Sequence, residues 1–545
     1  MDSSLIPYSH VPRSSQILLD YVSHFDRVSA FYGPTPFDLS SFQEVARQLI
    51  HSEARRRALA DILSRQNKAF GSAEPTHANI QRLRDPQTFV VVTGQQVGLL
   101  SGPAFTIYKA LTAVRLANFL SQQGLPCVPV FWLATEDHDL PEVAETRAFN
   151  QEYELVTLRD EGIRPAPQCS VGYAQLSSAI SGELARLEQA LPEGPQRTRT
   201  LEDLRECYQP GVKWGQAFGR LMGRWFSHLG VVLLDPLDEE VHTLAREVYR
   251  QALETAGRLR SLLLERSKAL VQAGYHAQVH VGADSTLLFA QHQGNRLALH
   301  EHRGEFVLEN QPSRSLTEMT AWLNLQPIDF TSSALFRPIV QDTLLPTIAM
   351  VAGPAELAYL SQSQALYSEF GRPAPAPLLR AGFTLLDQRV DKLLRKYQLS
   401  VRDAWQGEDH LNRVIARSAF GPDGAGGWSE RLDGCENELG VLLGKVREDI
   451  ERLDPTLLDA VKHAQDKMAF QLERLRSRIS RAALERSGVL KRHEQELRRF
   501  LLPDDELQER QVSGAYFLGV AGYGLLEQLL DEIDFGSFIH RVTTM

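Results

Sequence analysis

Between Phe89 and Asp139 the chain runs through an apolar β-rich stretch, a glycine-bearing turn, a helical stretch and a second apolar stretch. That order predicts a βαβ unit and so restricts the chain to folds with a parallel sheet. The first apolar run is Phe89 to Val92 and the second is Val128 to Leu133. Between them Ile107, Leu111, Val114 and Ala117 recur at three- and four-residue spacing and share one helical face. Pro103 falls near the first helical position, Gly124 suits a C-terminal cap, and Pro126 blocks continuation. A parallel pair joined in this way gathers ligand chemistry at its carboxyl edge.

Two polar groups of residues stand at that edge. The turn Thr93-Gly94-Gln95-Gln96-Val97-Gly98 is expected to present backbone N–H groups at a helix entrance, where the dipole favours an anion. Lys109 adds a positive charge further along the helix. The turn lacks the Lys-Ser/Thr pair of a P-loop and is not Gly-x-Gly-x-x-Gly, so its glycines serve tight turns and close packing equally well. After the second strand come Glu136, Asp137, His138 and Asp139. Three packed carboxylates repel one another unless a cation or ligand offsets them. A solvated loop with a helix cap is the plainer reading. The concentration directly after a buried strand points instead to catalytic work for Glu136, Asp137, His138 and Asp139.

A second dense segment runs from Phe336 to Asp387. Arg337, Gln341 and Asp342 precede a buried run, and Gly353-Pro354-Ala355-Glu356 then opens a helix that carries Tyr359. Glu356 alone reads as charge complementarity at a helix start. Arg337 reads either as a structural partner of a carboxylate or as a ligand contact. The two segments are expected to meet in one cleft, with Thr93, Gln96, His138, Arg337 and Glu356 on its border.

The motifs TGQQVGLLSGPAFTIYKA, VPVFWLATEDHD and FRPIVQDTLLPTIAMVAGPAELAY resemble those of the bacillithiol biosynthesis cysteine-adding enzymes, the BshC family. The opening IPYSHVPRSSQILLDYVSHFDRVSAFYGPTPFD, the strand GVVLLD from Gly230 and the late QERQVSGAYFLGVAGYGLLEQLLDEID are also similar to that family, so the likeness runs from about residue 5 to 540. It implies an α/β fold: a Rossmann-like parallel-sheet core with inserted connecting segments and a C-terminal α-helical coiled-coil domain that makes a homodimer. It also implies a ligase that joins the carboxyl of L-cysteine to the amino group of glucosaminyl-malate. ATP or ADP is the nucleotide implied, and no metal is expected as an integral cofactor. Within the first motif Gly102 and Tyr108 join Thr93, Gly94, Gln95, Gln96, Gly98 and Lys109 as expected substrate- or nucleotide-binding residues. Arg337, Gln341, Asp342, Gly353, Glu356 and Tyr359 complete that set. No His-Ile-Gly-His-like or Lys-Met-Ser-Lys-Ser-like segment is present, so an adenylate route has no motif behind it.

The remaining sequence fixes the limits. At 545 residues the chain exceeds one ordinary core, and 43% hydrophobic with 23% charged residues is a globular composition. A net charge of −10 argues against nonspecific nucleic-acid binding. No signal peptide and no long apolar span are visible, so a cytoplasmic protein without membrane contact is expected. The four cysteines, Cys127, Cys169, Cys207 and Cys435, are far apart and form no Cys-x-x-Cys pair; Cys127 reads as a buried thiol.

The expected division is a core in three parts (1–150, 211–270 and 331–389) with a connecting insertion at 151–210, where Pro165, Pro167, Pro192 and Pro195 mark loops. A small β-rich insertion is expected at 271–330, from the runs HAQVHVG, STLLFAQH, NRLALHEH and EFVLEN. Its histidines (His276, His280, His292, His300, His302) are expected at solvated strand edges. A helical arm at 390–505 carries Met468, Leu472, Leu475, Ile479, Ala482 and Val489 in an a/d-like rhythm that Arg486 interrupts. Asp454-Pro455 breaks it into two or three helices, which pair either within the chain or with a second subunit. Residues 506–545 are expected to dock on the core. Two other functions compete with ligation: a metal-dependent hydrolase built on Glu136 to Asp139, and a non-catalytic coiled-coil assembly protein.

Overall fold

The computed structural model describes residues 5–162, 169–420, 427–536 and 538–545. Its centre is a sheet of five strands: β1 (Phe89–Gln95), β2 (Cys127–Leu133), β3 (Val232–Leu234), β4 (Thr347–Ala352) and β5 (Ala376–Leu379). The spatial order is β5-β4-β1-β2-β3 and every pairing is parallel. The chain lays down β1, β2 and β3 outward in one direction, then returns to the other side of β1 with β4. The order therefore reverses between β1 and β4. In doubly wound sheets a crevice opens at the carboxyl ends of the two strands flanking such a reversal. Val90, Val91, Val92, Val128, Val130, Val351 and their neighbours are fully buried, as strands covered on both faces require.

The helix α1 (Phe105–Gln122) connects β1 to β2. Gly124 ends it at φ +81°, a left-handed value natural to glycine. It is not amphipathic in the way its spacing predicts. Tyr108, Lys109, Ala110, Thr112 and Ala113 are buried along with Ile107, Leu111, Val114 and Ala117. The reason lies at the other end of the chain. The segments Gly514–Ala521 and Gly524–Glu532 are helices that cover the face of α1 turned away from the sheet. At Gly514 a Cβ would sit 2.6 Å from the Ile107 side chain, so the close approach requires glycine.

The two insertions are more ordered than loops. Residues 145–159 form a hairpin, and Pro195 opens a helix, Pro195–Cys207, rather than a loop; Pro165 and Pro167 lie outside the described residues. The later insertion holds an antiparallel sheet made of Arg314–Ser315, Glu305–Leu308, Asn295–His302, Ser285–His292 and Phe330–Ser332. The run HAQVHVG is not one of its strands. The backbone of Val279 is clamped on both sides by the Gln362 side chain, which accepts from its N–H and donates to its carbonyl at 2.9 Å each.

The arm comprises α3 (Glu408–Phe420), α4 (Gly427–Leu453), α5 (Leu458–Arg486) and α6 (Gly488–Leu501). Asp454 turns α4 into α5 by accepting the Thr456 N–H at 3.0 Å. The two long helices pack as a hairpin within the chain, and Arg476 on α5 donates to Asp433 on α4 at 2.6 Å. The apolar rhythm ends at Ser487, which breaks the helix and caps α6, so Val489 belongs to a separate helix. Leu442, Val446, Met468, Phe470 and Leu475 stay exposed on the hairpin.

A third sheet ties the ends of the chain together. Leu5–Pro7 pairs antiparallel with Ile539–Thr544, which pairs parallel with Gly382–Leu386. His540 lies at its centre, and burial pushes its imidazole down to about 4 from the ordinary 6.5. Between these values the unfolded chain binds the proton and the folded chain does not. Stability is therefore full above about pH 6.5 and falls as pH drops toward 4, by on the order of 2–3 kcal/mol from this residue. His51, pushed down to about 3 chiefly by burial, acts in the same direction. Urea midpoints measured from pH 7.5 to 5 are expected to fall, and His540→Gln is expected to flatten, without abolishing, the slope. A pH-independent midpoint would contradict the neutral buried state.

A candidate active-site cleft at the sheet switch point

A cavity of about 640 Å³ opens at the carboxyl edge of the sheet, over the crevice between β1 and β4. Gly94, Gln95 and Gln96 at the end of β1, Glu136 to His138 after β2, and Gly353 to Glu356 after β4 all border it. The antiparallel insertion closes one side with Leu287, Leu288, Phe289 and Arg296. The two dense sequence segments thus share one cleft, and Gln96, His138, Arg337 and Glu356 line it.

Beneath the floor, Lys109 is 1% exposed. Its ammonium donates to the Gly94 carbonyl, to Gln95 Oε1 at 3.1 Å and to the Glu356 carboxylate. Glu356 also accepts the Gly353 N–H at 2.8 Å, closing the first turn of α2 (Pro354–Ser363). Burial raises the Glu356 carboxyl, but Lys109 and the Gly353 N–H outweigh it and hold the group below its usual range. Burial likewise pulls the Lys109 pKa down, against Glu356. Arg337 donates to Gln341 at 2.8 Å and to the Tyr359 hydroxyl at 3.1 Å, which anchors both of its terminal nitrogens.

The cluster after β2 divides in four directions. Asp137 accepts from Gln96 Nε2 at 2.7 Å and from the His138 N–H at 2.7 Å. Burial opposes ionisation there, but the hydrogen bonds from His138 and Gln96 and the nearby Arg296 charge outweigh it and hold the Asp137 carboxyl below its usual range. His138 takes a hydrogen bond from Arg296 on Nδ1 at 2.9 Å, so a neutral ring carries its proton on Nε2. Arg296 is itself fixed by Thr331 Oγ1 at 2.7 Å and the Ser332 carbonyl at 2.8 Å, with its guanidinium 3.7 Å from the Phe289 ring centroid. Glu136 turns inward, where His242 Nε2 lies 3.1 Å from its carboxylate. Asp139 is exposed and caps the short helix Leu140–Val143 by accepting the Glu142 N–H at 3.2 Å. The four side chains therefore do not gather around one ion, and Asp139 is a helix cap rather than a cleft residue.

Other expected residues also lie away from the cleft. Thr93 is buried and donates to the Val351 carbonyl at 2.9 Å, stitching β1 to β4. Tyr108 is buried against Phe383, ring centroids 5.0 Å apart. Gln341 and Asp342 are buried and bonded to each other at 3.0 Å, with the Tyr367 hydroxyl donating to Asp342. Gly98 and Gly102 line a smaller neighbouring cavity of about 250 Å³.

The turn itself is not an open anion cradle. The Gly98 N–H bonds the Gln96 carbonyl, the Gly102 N–H bonds Leu99, and the Ala104 N–H at the entrance of α1 bonds Val512 at 2.8 Å. The turn itself and, at Ala104, the C-terminal segment have taken donors that a phosphate would need. Gly94 is required for packing, because a Cβ there would lie 2.7 Å from the Trp132 carbonyl oxygen.

Sequence reasoning missed Arg296, Arg380, Arg510, His280 and His300 on the cleft wall. The two histidines were expected at solvated strand edges. Arg380 follows β5 and is clamped by Glu509 at 2.6 and 3.0 Å. Its position just past an apolar strand end was the available signal. Arg296 and Arg510 carried none, since their roles depend on segments far away in sequence.

Fold and site together define an α/β protein with a ligand cleft at a Rossmann-type switch point and a helical arm. A family model described as the bacillithiol biosynthesis BshC N-terminal Rossmann-like domain matches residues 1–381, and one for the BshC C-terminal coiled-coil domain matches residues 383–545. Relatives carrying the name "Putative cysteine ligase BshC" include one from Koribacter versatilis (strain Ellin345), 35% identical over 96% of this chain and 97% of its own length. Others are from Solibacter usitatus (strain Ellin6076), 34% identical over 99% of both chains, and Salinibacter ruber (strain DSM 13855 / M31), 32% identical over 96% and 95%. The chain belongs to the BshC family of bacillithiol biosynthesis.

Proposed function

We propose that this protein is a cysteine ligase that joins the carboxyl group of L-cysteine to the amino group of glucosaminyl-malate. The observation that carries the reading furthest is the convergence of Asp137, His138 and Glu136 with the Lys109–Glu356 pair in one cleft at the switch point. Asp137, held ionised, accepts from the ammonium of the amino sugar and orients it. Glu136, beside His242, takes the proton that the amine loses. His138 with its proton on Nε2 donates to the oxygen on which negative charge develops as the amine attacks. Arg337, anchored by Gln341 and Tyr359, shapes the wall.

Making an amide from a carboxylate needs activation, and ATP is the co-substrate proposed for it. The cysteine carboxylate is converted to an acyl-phosphate with release of ADP, or to an acyl-adenylate with release of pyrophosphate, and the phosphate or AMP leaves as the amine attacks. The entrance of α2 from Gly353 to Ala355 borders the cleft; Glu356 takes its Gly353 N–H and Lys109 offsets that charge, so the helix dipole is what remains to favour phosphate groups there. Incubating the purified protein with L-cysteine, glucosaminyl-malate and ATP is expected to give a thiol product one cysteinyl residue heavier than the acceptor. No such product, with and without ATP, would overturn the reading.

The arm is proposed to pair two copies. Leu442, Val446, Phe470 and Leu475 form exposed apolar positions on a highly charged hairpin, and contiguous apolar patches mark interfaces. Light scattering of the wild type at micromolar concentration is expected to give a dimer, and Leu442→Glu with Leu475→Glu a monomer. A wild-type monomer would contradict the pairing.

A further inference from the structure

We propose that Arg510, from the C-terminal segment, is the residue that reads a carboxylate of the acceptor at the mouth of the cleft. The proposal rests on the ligase reading above and names a specificity residue for it.

The cleft is lined by five lysine and arginine side chains, Lys109, Arg296, Arg337, Arg380 and Arg510. Four are anchored by their surroundings. Lys109 holds Gly94, Gln95 and Glu356; Arg296 holds Thr331, Ser332 and His138; Arg337 holds Gln341 and Tyr359; and Arg380 is gripped by Glu509 and donates to the Ala381 carbonyl at 2.8 Å. Among the described residues Arg510 makes no side-chain hydrogen bond. Its nearest acid is Glu506, 3.8 Å from Nε, and its side chain is 49% exposed. It is thus the cleft cation whose guanidinium is held by no hydrogen bond among the described residues.

Its place adds to the argument. Arg510 borders both the main cavity and the smaller one of about 250 Å³, so it stands where they adjoin. Its backbone is not a loose tail. The preceding residue Glu509 is buried on Arg380, and the following stretch is sewn to the entrance of α1 by Ala104 N–H to Val512 and Gly514 N–H to Gly102. A planar guanidinium on a fixed backbone, with free donors, suits a carboxylate. Of the proposed substrates, the cysteine carboxyl is consumed in the reaction, whereas the malate carboxylates persist from acceptor to product. The malate part is therefore the group assigned to Arg510.

The test is calorimetric binding to the full-length protein, with wild type, Arg510→Gln and Arg510→Lys titrated with glucosaminyl-malate, glucosamine and L-cysteine. Arg510→Gln is expected to weaken glucosaminyl-malate at least about tenfold, as loss of a charge-assisted contact does. Arg510→Lys should recover part of the loss, and binding of glucosamine and L-cysteine should not change. In turnover the KM for the acceptor should rise with kcat little altered. Because the side chain is half exposed, the thermal midpoint should hold. Acceptor binding by Arg510→Gln within twofold of wild type, or a loss confined to L-cysteine, would overturn the assignment and leave the ligase reading standing. A wild type that binds no glucosaminyl-malate would overturn both.

Discussion

Replacing Glu356 by alanine is expected to lower the unfolding free energy by about 3 kcal/mol or more, because it leaves the Lys109 ammonium unpaired in the floor of the cleft. Lys109 is 1% exposed, and its remaining partners, the Gly94 carbonyl and Gln95 Oε1, carry no full negative charge. The Gly353 N–H loses its acceptor in the same variant. The two partners differ in how burial treats them. The Glu356 pKa falls despite burial, whereas the Lys109 pKa falls because of it, against the pull of Glu356, so each charge leans on the other and removing one alone is what costs. Lys109→Met combined with Glu356→Leu should therefore destabilise less than Glu356→Ala alone. A carboxyl held below its unfolded value stabilises at neutral pH and loses that contribution as pH falls through the folded value. The gap between wild type and Glu356→Gln should accordingly narrow in acid. Denaturant unfolding at pH 7.5 and 4 checks both points, and a loss under about 1 kcal/mol for Glu356→Ala would show that Lys109 is not sealed.

The second large effect falls on chemistry rather than stability. His138→Ala is expected to reduce kcat in the cysteine-addition assay by about 100-fold, the scale of a lost proton donor or acceptor in a transition state. His138 is 41% exposed at its side chain, so its removal leaves no buried void and the thermal midpoint should stay near wild type. Arg296→Ala gives the contrasting pattern. It removes the hydrogen bond that sets the His138 tautomer, and it also strands Thr331 and the Ser332 carbonyl, so activity and stability should fall together. Equal losses of activity and stability in His138→Ala would instead mark a structural residue.

The core was legible because its signals are local. Apolar runs of strand length, Gly124 and the acidic cluster after Leu133 report on their own neighbourhoods, and they located β1, α1, β2 and the cleft edge. Where the reading failed, distant residues had taken over. The turn after β1 carries the residue types of an anion site, yet its Gly98, Gly102 and Ala104 N–H groups are bonded to the carbonyls of Gln96, Leu99 and the distant Val512. Tyr108 reads as a helix residue near a ligand until Phe383 is placed against it. Arg296 is an ordinary strand residue in sequence, and only the folding of the insertion over β2 brings it to His138. The arm followed the same rule. Its helices and the break at Asp454 were visible, but the break at Ser487 and the choice of inner face depend on the partner helix.

A crystal structure of the protein with glucosaminyl-malate and L-cysteine bound tests most directly whether the switch-point cleft is where ligation takes place. The expected result places the amino nitrogen of the acceptor within hydrogen-bond distance of Asp137, between Gln96 and Glu356. Substrates bound elsewhere, for example in the open groove beside Trp322 and Arg314 on the β-rich insertion, with the cleft filled only by water, would contradict it.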